Sequence, residues 1–315
     1  MRMEKILVGI SGCLLGEPVR YDGGHKLNSY IERTLGAYFE FRRFCPEVAC
    51  GLGVPRPALR LLATAEGVRC VGVQDRDRDV TADLEDVSAA QHQWLAELSA
   101  YILKKDSPSC GMQRVKVYHD ELPVRSGSGV FAAYLQKTFP NLPVEEEGRL
   151  GDPLLRENFI RRVFVMRRWR QLSEQGFSIH DLMSFHSRHK LVAMSHNQNT
   201  AHALGRIIAN ITPDTLETDA AVYISVLMSC LKIIATRGNH VNVLQHIQGY
   251  LKTALDKDDK QELTETIEDY RQNRLPLIVP LTLLRHHFRK QPNDFITASY
   301  YMQPHPGELA LLNEI

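Results

Sequence analysis

The sequence predicts an α/β amino-terminal domain, built as Rossmann-like layers around a mainly parallel sheet, followed by an all-α carboxy-terminal domain. Three observations carry this expectation. Short β-rich runs alternate with amphipathic stretches through the first half, and glycine and proline punctuate that half. From about residue 156 the chain reads as long helical segments with few strand signals. Strands alternating with helices bury their apolar faces as an α/β layer structure.

Taken in order, "KILVGI" (5–10) is the first strand and "SYIERTLGAYF" (29–39) the first helical stretch. An apolar-aromatic run then leads to Cys45. "VRCVGV" (68–73) and "AYILKK" (100–105) are further strands, separated by the helical "DLEDVSAAQHQWLAEL" (83–98). "GVFAAYLQKTF" (129–139) is a third helix and precedes "NLPVEEE". The grammar changes after "EEEGRLGDPLL" (145–155), where "GDP" suits a hinge and Pro153 suits the first turn of the next helix. Domains of 1–150 and 151–315 are expected, with no internal repeat and no low-complexity tract.

Composition sets outer limits. The 315 residues, 43% hydrophobic and 24% charged, describe a globular chain long enough for two domains, at roughly 100–200 residues each. A net charge of +1 excludes neither an RNA nor a small-molecule partner, which respond to local charge. No run approaches the ~18 apolar residues of a membrane span. "MRMEKILVGIS" is too short in its apolar core for a signal peptide. A cytoplasmic address is expected, where cysteines serve as thiols or metal ligands rather than disulfides.

Five of the six cysteines lie before residue 111 and ten of the thirteen histidines after residue 179, so the two halves carry different chemistry. Cys70 in "VRCVGV" and Cys230 in "VLMSCLKII" sit in apolar runs and read as small buried hydrophobes. The other four stand in Gly- or Pro-rich turns after strands: Cys13 in "ISGCLLGEPVRYDGG", Cys45 and Cys50 in "FCPEVACGLGVPRP", Cys110 in "KKDSPSCG". Loops that follow the strands of an open parallel sheet meet at one edge, where ligands bind. Close C-x2–4-C pairs would mark structural zinc, and only Cys45 and Cys50 are near one another. The tight run of a bacterial ferredoxin is absent. Three dispersed thiolates suit a [4Fe–4S] cluster with one iron free of protein ligands. Spacing alone also admits zinc or thiol catalysis.

The flanking residues go further. "SGCLLGEPVRYDGG", "CPEVACGLGVPRP" and "SPSCG", in this order, resemble the thiouracil desulfidase family across residues 5 to 148. The resemblance implies an α/β fold, a [4Fe–4S] cluster on three cysteines, and removal of sulfur from thiolated uracil. "FHSRHKLVAMSHNQ" (185–198) and "YRQNRLPLIVPLTLLRHHFRK" (270–290) resemble the helical domain fused to this module in bacterial enzymes acting on 4-thiouridine in transfer RNA. The family's middle motif carries its cysteine immediately before Pro-Glu, which makes Cys13, Cys45 and Cys110 the expected ligands. Cys50 is the alternate for Cys45.

Replacing the C4 sulfur of 4-thiouridine by oxygen is an addition–elimination without net redox change. A soft open iron would draw off the sulfur. Glu47, two residues from Cys45, is the expected acid–base group, its proton affinity raised by desolvation and by the cluster's charge. Ser107 would orient the water or the pyrimidine edge. Arg20, Tyr21 and Asp22 of "VRYDGG" would stack on or hydrogen-bond the base. Each has a purely structural counterpart in turn formation or capping.

In the second domain, "RENFIRRVFVMRRWR" (156–170) sets six arginines against one glutamate. With Phe159, Val163 and Met166 facing a core, Arg161, Arg162, Arg167, Arg168 and Arg170 are left for the solvated side, as an amphipathic helix or as an RNA-facing one. Residues 151–315 hold 19 basic and 17 acidic side chains, so any RNA surface is local. His186, His189 and His196 suit packing or RNA contact better than a second metal, and "LPLIVPLTLL" reads as the start of a buried helix. The functional expectation is a [4Fe–4S]-dependent, non-redox desulfidation of 4-thiouridine in tRNA, or of thiolated uracil derivatives, with release of hydrosulfide. Its rival from another class is a non-enzymatic iron–sulfur or zinc RNA-binding module.

Overall fold

The structure is a computed structural model that describes residues 4–306. The chain divides into two compact units, Met1–Asp152 and Pro153–Ile315.

The first unit is α/β. In chain order it comprises β1 (Ile6–Ser11), β2 (Phe39–Phe44), α1 (Pro46–Ala49), β3 (Leu59–Thr64), β4 (Gly67–Gly72), α2 (Thr81–Ala90), α3 (His92–Leu95), β5 (Ala100–Leu103), β6 (Val115–His119), β7 (Leu122–Gly127), α4 (Val130–Thr138) and β8 (Val144–Glu146). One sheet runs in the order β2-β1-β5-β8 with every pair parallel, in registers such as Val8 opposite Phe41 and Val8 opposite Ala100. Its central strands are buried on both faces, as apolar parallel strands must be: Val8, Ile10, Tyr101, Ile102 and Leu103 are fully enclosed.

A second four-stranded sheet, β4-β3-β6-β7, is mixed, with antiparallel β3–β4 and β6–β7 pairs around a parallel β3–β6 pair. The run "VRCVGV" is therefore a strand, but of this second sheet. The β6–β7 hairpin, turning at Asp120 with φ 54°, escaped the sequence reading because polar residues dilute its alternation. "SYIERTLGAYF" forms a π-helical turn over Tyr30–Thr34 and a 3₁₀ turn over Leu35–Ala37 instead of a regular helix.

The second unit is all helical: α5 (Pro153–Glu174), α6 (Ile179–His196), α7 (Gln198–Asn210), α8 (Leu216–Lys232), α9 (Arg237–Gly249), α10 (Lys257–Arg271), α11 (Ile278–Lys290) and α12 (Asp294–Ala298). Side-chain caps start several of them. Ser178 and Asp181 form a capping box for α6, and Asn197, Thr236 and Asp256 each accept an amide of the turn that follows. The core runs through Leu182, Leu204, Tyr223, Leu227, Leu244 and Leu284. Among the described residues no single helix is long and apolar enough to cross a membrane, although the bent pair α8–α9 meets the length and composition test.

Phe159, Val163 and Met166 of α5 are buried as expected. The arginines beside them are not arranged as expected. All nine residues from Asn158 to Met166 are buried, including Arg161 at 5% and Arg162 at 7% exposure. Arg161 pairs with Glu157 at 2.5 Å, and Arg162 lies over the Phe159 ring. Arg168 donates to the Pro304 carbonyl at 2.7 Å with its guanidinium 3.5 Å from the Tyr300 ring centroid, and desolvation lowers its pKa to about 10. Arg167 and Arg170 are half-buried. The expectation of a solvated arginine face on α5 is thus corrected for Arg161, Arg162 and Arg168. A helical stretch enclosed on all sides, as residues 158–166 are, can house arginines wherever carboxylates, carbonyls and rings receive them.

Candidate active site

Three neighbouring strands of the parallel sheet, β2, β1 and β5, end side by side, and each hands over to a cysteine loop. After β1 the chain makes a 3₁₀ turn over Gly12–Leu15 that carries Cys13, whose carbonyl accepts Lys26 N at 2.8 Å. After β2, Cys45 is the extended residue that starts α1, with Pro46 in the first position and Glu47 in the first turn. After β5 comes the loop that ends in Cys110. Ser11 at the end of β1 accepts Lys104 N at 3.0 Å, which locks this loop to the first.

The Cys110 loop is fixed by the helix beyond it. The Pro108 and Ser109 carbonyls accept Val130 N and Ala132 N at 3.1 and 3.2 Å, and so occupy amides that the first turn of α4 leaves open. Gly129, the residue before α4, is required here, since a Cβ would lie 2.4 Å from the Ser109 carbonyl carbon.

Cys13, Cys45 and Cys110 line one cavity of about 450 Å³, together with Arg20, Tyr21, Glu47, Arg56, Lys104, Ser107 and Ser109. Burial and the neighbouring Cys45 push the Cys13 thiol up to about 11. Burial raises Cys45 as well, and burial followed by Cys45 raises Cys110. Cys50 is absent from this wall. Its Sγ turns to the Glu47 carbonyl at 3.3 Å, and it packs against the apolar cluster containing Leu61 and Cys70.

Glu47 is buried and paired. Arg56, whose side chain is 3% exposed, donates from Nε and Nη2 to Glu47 Oε2 at 2.9 and 2.7 Å. The same guanidinium donates to the Gly53 and Val19 carbonyls at 2.9 and 3.0 Å. Ser109 Oγ donates to Glu47 Oε1 at 2.6 Å. Ser107 Oγ lies 3.0 Å from Ser109 Oγ and accepts Cys110 N at 3.0 Å and Ser109 N at 3.3 Å. Sequence reasoning singled out Glu47 and Ser107 but missed Arg56 and Ser109. The available signals were an arginine between two prolines in "VPRP" and the second serine of "SPSC".

Of the "RYD" residues, Arg20 and Tyr21 reach the cavity wall while Asp22 does not. Asp22 accepts Gly24 N at 3.0 Å and Arg20 Nε and Nη2 at 3.3 Å each, contacts that hold its carboxyl below the usual range. It closes the turn and aims Arg20. Lys104 contacts Glu147 and draws the Cys13 thiol back down. The histidines singled out in the helical unit do not meet: His186 bonds Tyr223 Oη, His189 the Phe185 carbonyl and His196 the Ile233 carbonyl.

Fold and site together define an α/β unit with a thiol-lined cavity at the carboxyl edge of its parallel sheet. Residues 8–147 match the family described as 2-thiouracil desulfurase, and residues 190–306 match one described as a protein of unknown function (DUF1722). YbgA of Escherichia coli (strain K12) is 30% identical over 151 residues, which cover 48% of this chain and 89% of that protein. YbbK of Bacillus subtilis (strain 168) is 31% identical over 160 residues, covering 47% of this chain and 100% of that protein. The solved structure of a [4Fe-4S]-dependent thiouracil desulfidase, TudS, is 35% identical, covers 47% of this chain and 94% of its own, and superposes with a TM-score of 0.37. The chain belongs, through its first unit, to the 2-thiouracil desulfurase family.

Proposed function

We propose that the first unit removes sulfur from thiolated uracil derivatives, 4-thiouridine of tRNA among them, with a [4Fe–4S] cluster held by Cys13, Cys45 and Cys110. The observation that carries the reading is the meeting of these three thiols, from three separate loops, on one cavity wall beside Glu47 and Ser107.

The residues present fit such a group. The cavity wall carries three cysteines, no histidine and no fourth cysteine among the described residues, a donor set that suits a cluster with three protein ligands. Tyr101 Oη is fully buried and has no hydrogen-bond partner among the described residues. Burial, and after it the nearby Cys110, Cys45 and Cys13, raise its pKa, so an unpaired donor stands close to the three thiols. When bound, the cluster supplies a thiophilic Lewis acid for the departing sulfur.

The chain's own groups handle the proton and the ring. One water oxygen replaces the ring sulfur, sulfur departs as hydrosulfide, and one proton of the water must be taken up. Ser109 has a single hydroxyl proton, given to Glu47 Oε1 at 2.6 Å, so in the 3.0 Å contact it accepts from Ser107. A proton taken from water at Ser107 Oγ can therefore pass through Ser109 to Glu47 Oε1. Arg56 engages Oε2 with two nitrogens, which leaves Oε1 as the oxygen that receives it. Arg20 and Tyr21 border the cavity on the side where a pyrimidine would lie.

Anaerobic incubation with free thiouracil and with thiolated tRNA tests the proposal. Loss of the thiocarbonyl absorbance and stoichiometric sulfide release are expected. An intact cluster without turnover on either substrate sinks the enzymatic reading and favours a binding module.

A further inference from the structure

The helical unit has a cavity of its own that the desulfidation chemistry does not use. It measures about 310 Å³ and is walled by α5, the end of α6, the segment leading into α9, α10 and the approach to α11. This size stands at the small end of ligand pockets, roughly 300–1,000 Å³. It admits one small molecule and is too narrow for folded RNA.

Its floor is cationic. Arg161 lies there at 5% exposure, with Nε lacking any hydrogen-bond partner among the described residues. Its two other nitrogens face Glu157 Oε1 at 2.5 Å and His196 Nε2 at 3.4 Å. His196 gives its Nδ1 proton to the Ile233 carbonyl at 2.5 Å, so Nε2 is the lone-pair face toward Arg161. Burial and the neighbouring Arg161 hold His196 and His240 well below the usual histidine range, so both imidazoles are neutral.

The second guanidinium is that of Arg237. It is fixed by the Tyr270 carbonyl at 2.5 Å and by the Tyr270 ring 4.4 Å away.

Arg237 opens the 13-residue helix α9 behind the cap Thr236, which lines the same cavity. Thr236 engages the amides of Asn239 and His240, leaving those of Arg237 and Gly238 without a partner among the described residues. Free first-turn amides with the helix dipole behind them receive anions. A lone helix start would not define a site. Here it coincides with a buried, incompletely bonded arginine and a second, pre-oriented one. Glu157 is the single carboxylate on the wall, so the cavity retains net positive charge. The remaining wall is apolar: Leu154, Ile234 and Leu277 line it, with Leu154 54% and Ile234 39% exposed.

We propose that this cavity is a second ligand site, which holds the phosphate of a 5′-mononucleotide between Arg161, Arg237 and the first turn of α9, with its base against Leu154, Ile234 and Leu277. A phosphate monoester offers three acceptor oxygens to the Arg237 guanidinium and the two open amides, with the Arg161 charge beneath them. The apolar wall gives a planar base a face to cover. Inorganic phosphate fills only the floor, and a nucleoside only the wall.

The test is calorimetric titration of the full chain with the four 5′-mononucleotides, inorganic phosphate, uridine and a short single-stranded RNA. At least one mononucleotide is expected to bind at a ratio of one per chain. Phosphate should compete with it, and the matching nucleoside should bind at least tenfold more weakly. Arg237→Gln should weaken the mononucleotide tenfold or more. Gly238→Glu should do the same, because a Cβ at Gly238 meets nothing within 4 Å and a carboxylate there suits the helix dipole while repelling an anion. Circular dichroism confirms that each variant is folded, and Arg161 is left intact because it is buried and paired with Glu157. No mononucleotide or phosphate binding at millimolar ligand overturns the proposal, as does binding that both substitutions leave unchanged. RNA binding that these substitutions abolish, without mononucleotide binding, overturns the small-molecule occupant and assigns the phosphate to a nucleic-acid backbone.

Discussion

Replacing Arg56 by methionine removes the cation that holds Glu47 while keeping most of the side chain's volume. Arg56 is 3% exposed and Glu47 12% exposed at the side chain, so the stranded carboxylate would lie in a largely water-excluded place. Breaking such a buried pair from one side costs about 3–5 kcal/mol. The carbonyls of Gly53 and Val19 lose donors at 2.9 and 3.0 Å, each a loss of about 1 kcal/mol. Against this, Glu47 keeps its Ser109 donor and faces a cavity that water can enter. The net loss for Arg56→Met should be about 4 kcal/mol.

A fragment of residues 1–152 contains Trp94 as its single tryptophan, so urea unfolding followed by its emission reports this unit alone. With a slope of about 2 kcal/mol per M, the midpoint should fall by about 2 M. Glu47→Gln combined with Arg56→Met removes both charges and should cost less than the sum of the single changes by about 2–3 kcal/mol. A single-variant loss under about 1 kcal/mol, or additivity within about 0.5 kcal/mol, would refute the account of Arg56 as the clamp on Glu47.

Iron and sulfide counts after anaerobic purification should collapse in Cys13→Ala, Cys45→Ala and Cys110→Ala, yet stay near wild type in Cys50→Ala, whose thiol faces away from the cavity. Ser107→Ala and Ser109→Ala should each keep the cluster while turnover falls by about 10²–10⁴-fold, the usual range for a proton-transfer group. The fragment of residues 1–152 should act on free thiouracil and lose activity on tRNA; unimpaired tRNA turnover would remove the helical unit from substrate recognition. Acid should destabilise the helical unit. His196 has a folded pKa lowered to about 3, so its contribution is full above the unfolded value and falls away as pH drops through the interval between them. From pH 7 to pH 5 this histidine alone should cost about 2 kcal/mol, measured by denaturant melts of the full chain at each pH.

Much of this architecture is legible in the chain. The strand "KILVGI", the helix "GVFAAYLQKTF" and the change of grammar near "GDP" are local signals, because apolar periodicity and Gly/Pro punctuation act over a few residues. The second sheet was harder to read. "VRCVGV" announces a strand but not its partner, and pairing with β3 instead of the parallel sheet is a long-range choice. The arginines of α5 escaped for a related reason. Periodicity marks one buried face, and nothing in "RENFIRRVFVMRRWR" tells that the residues opposite would be enclosed too.

By itself the sequence determined that cysteine-bearing turns follow strands, and that the strands are of the apolar kind which lie parallel inside a layered fold, so that their ends share an edge. Only the tertiary structure decided which thiols stand on a common wall. Cys45 is the extended residue before one short helical turn and Cys50 the residue that ends it, so the two side chains leave the turn in different directions. One sulfur is thereby sent toward the cavity and the other into the apolar cluster behind it. The same folding step brought Arg56 and Ser109 onto Glu47 from loops nine and sixty-two residues away, contacts that arise from chain closure in space.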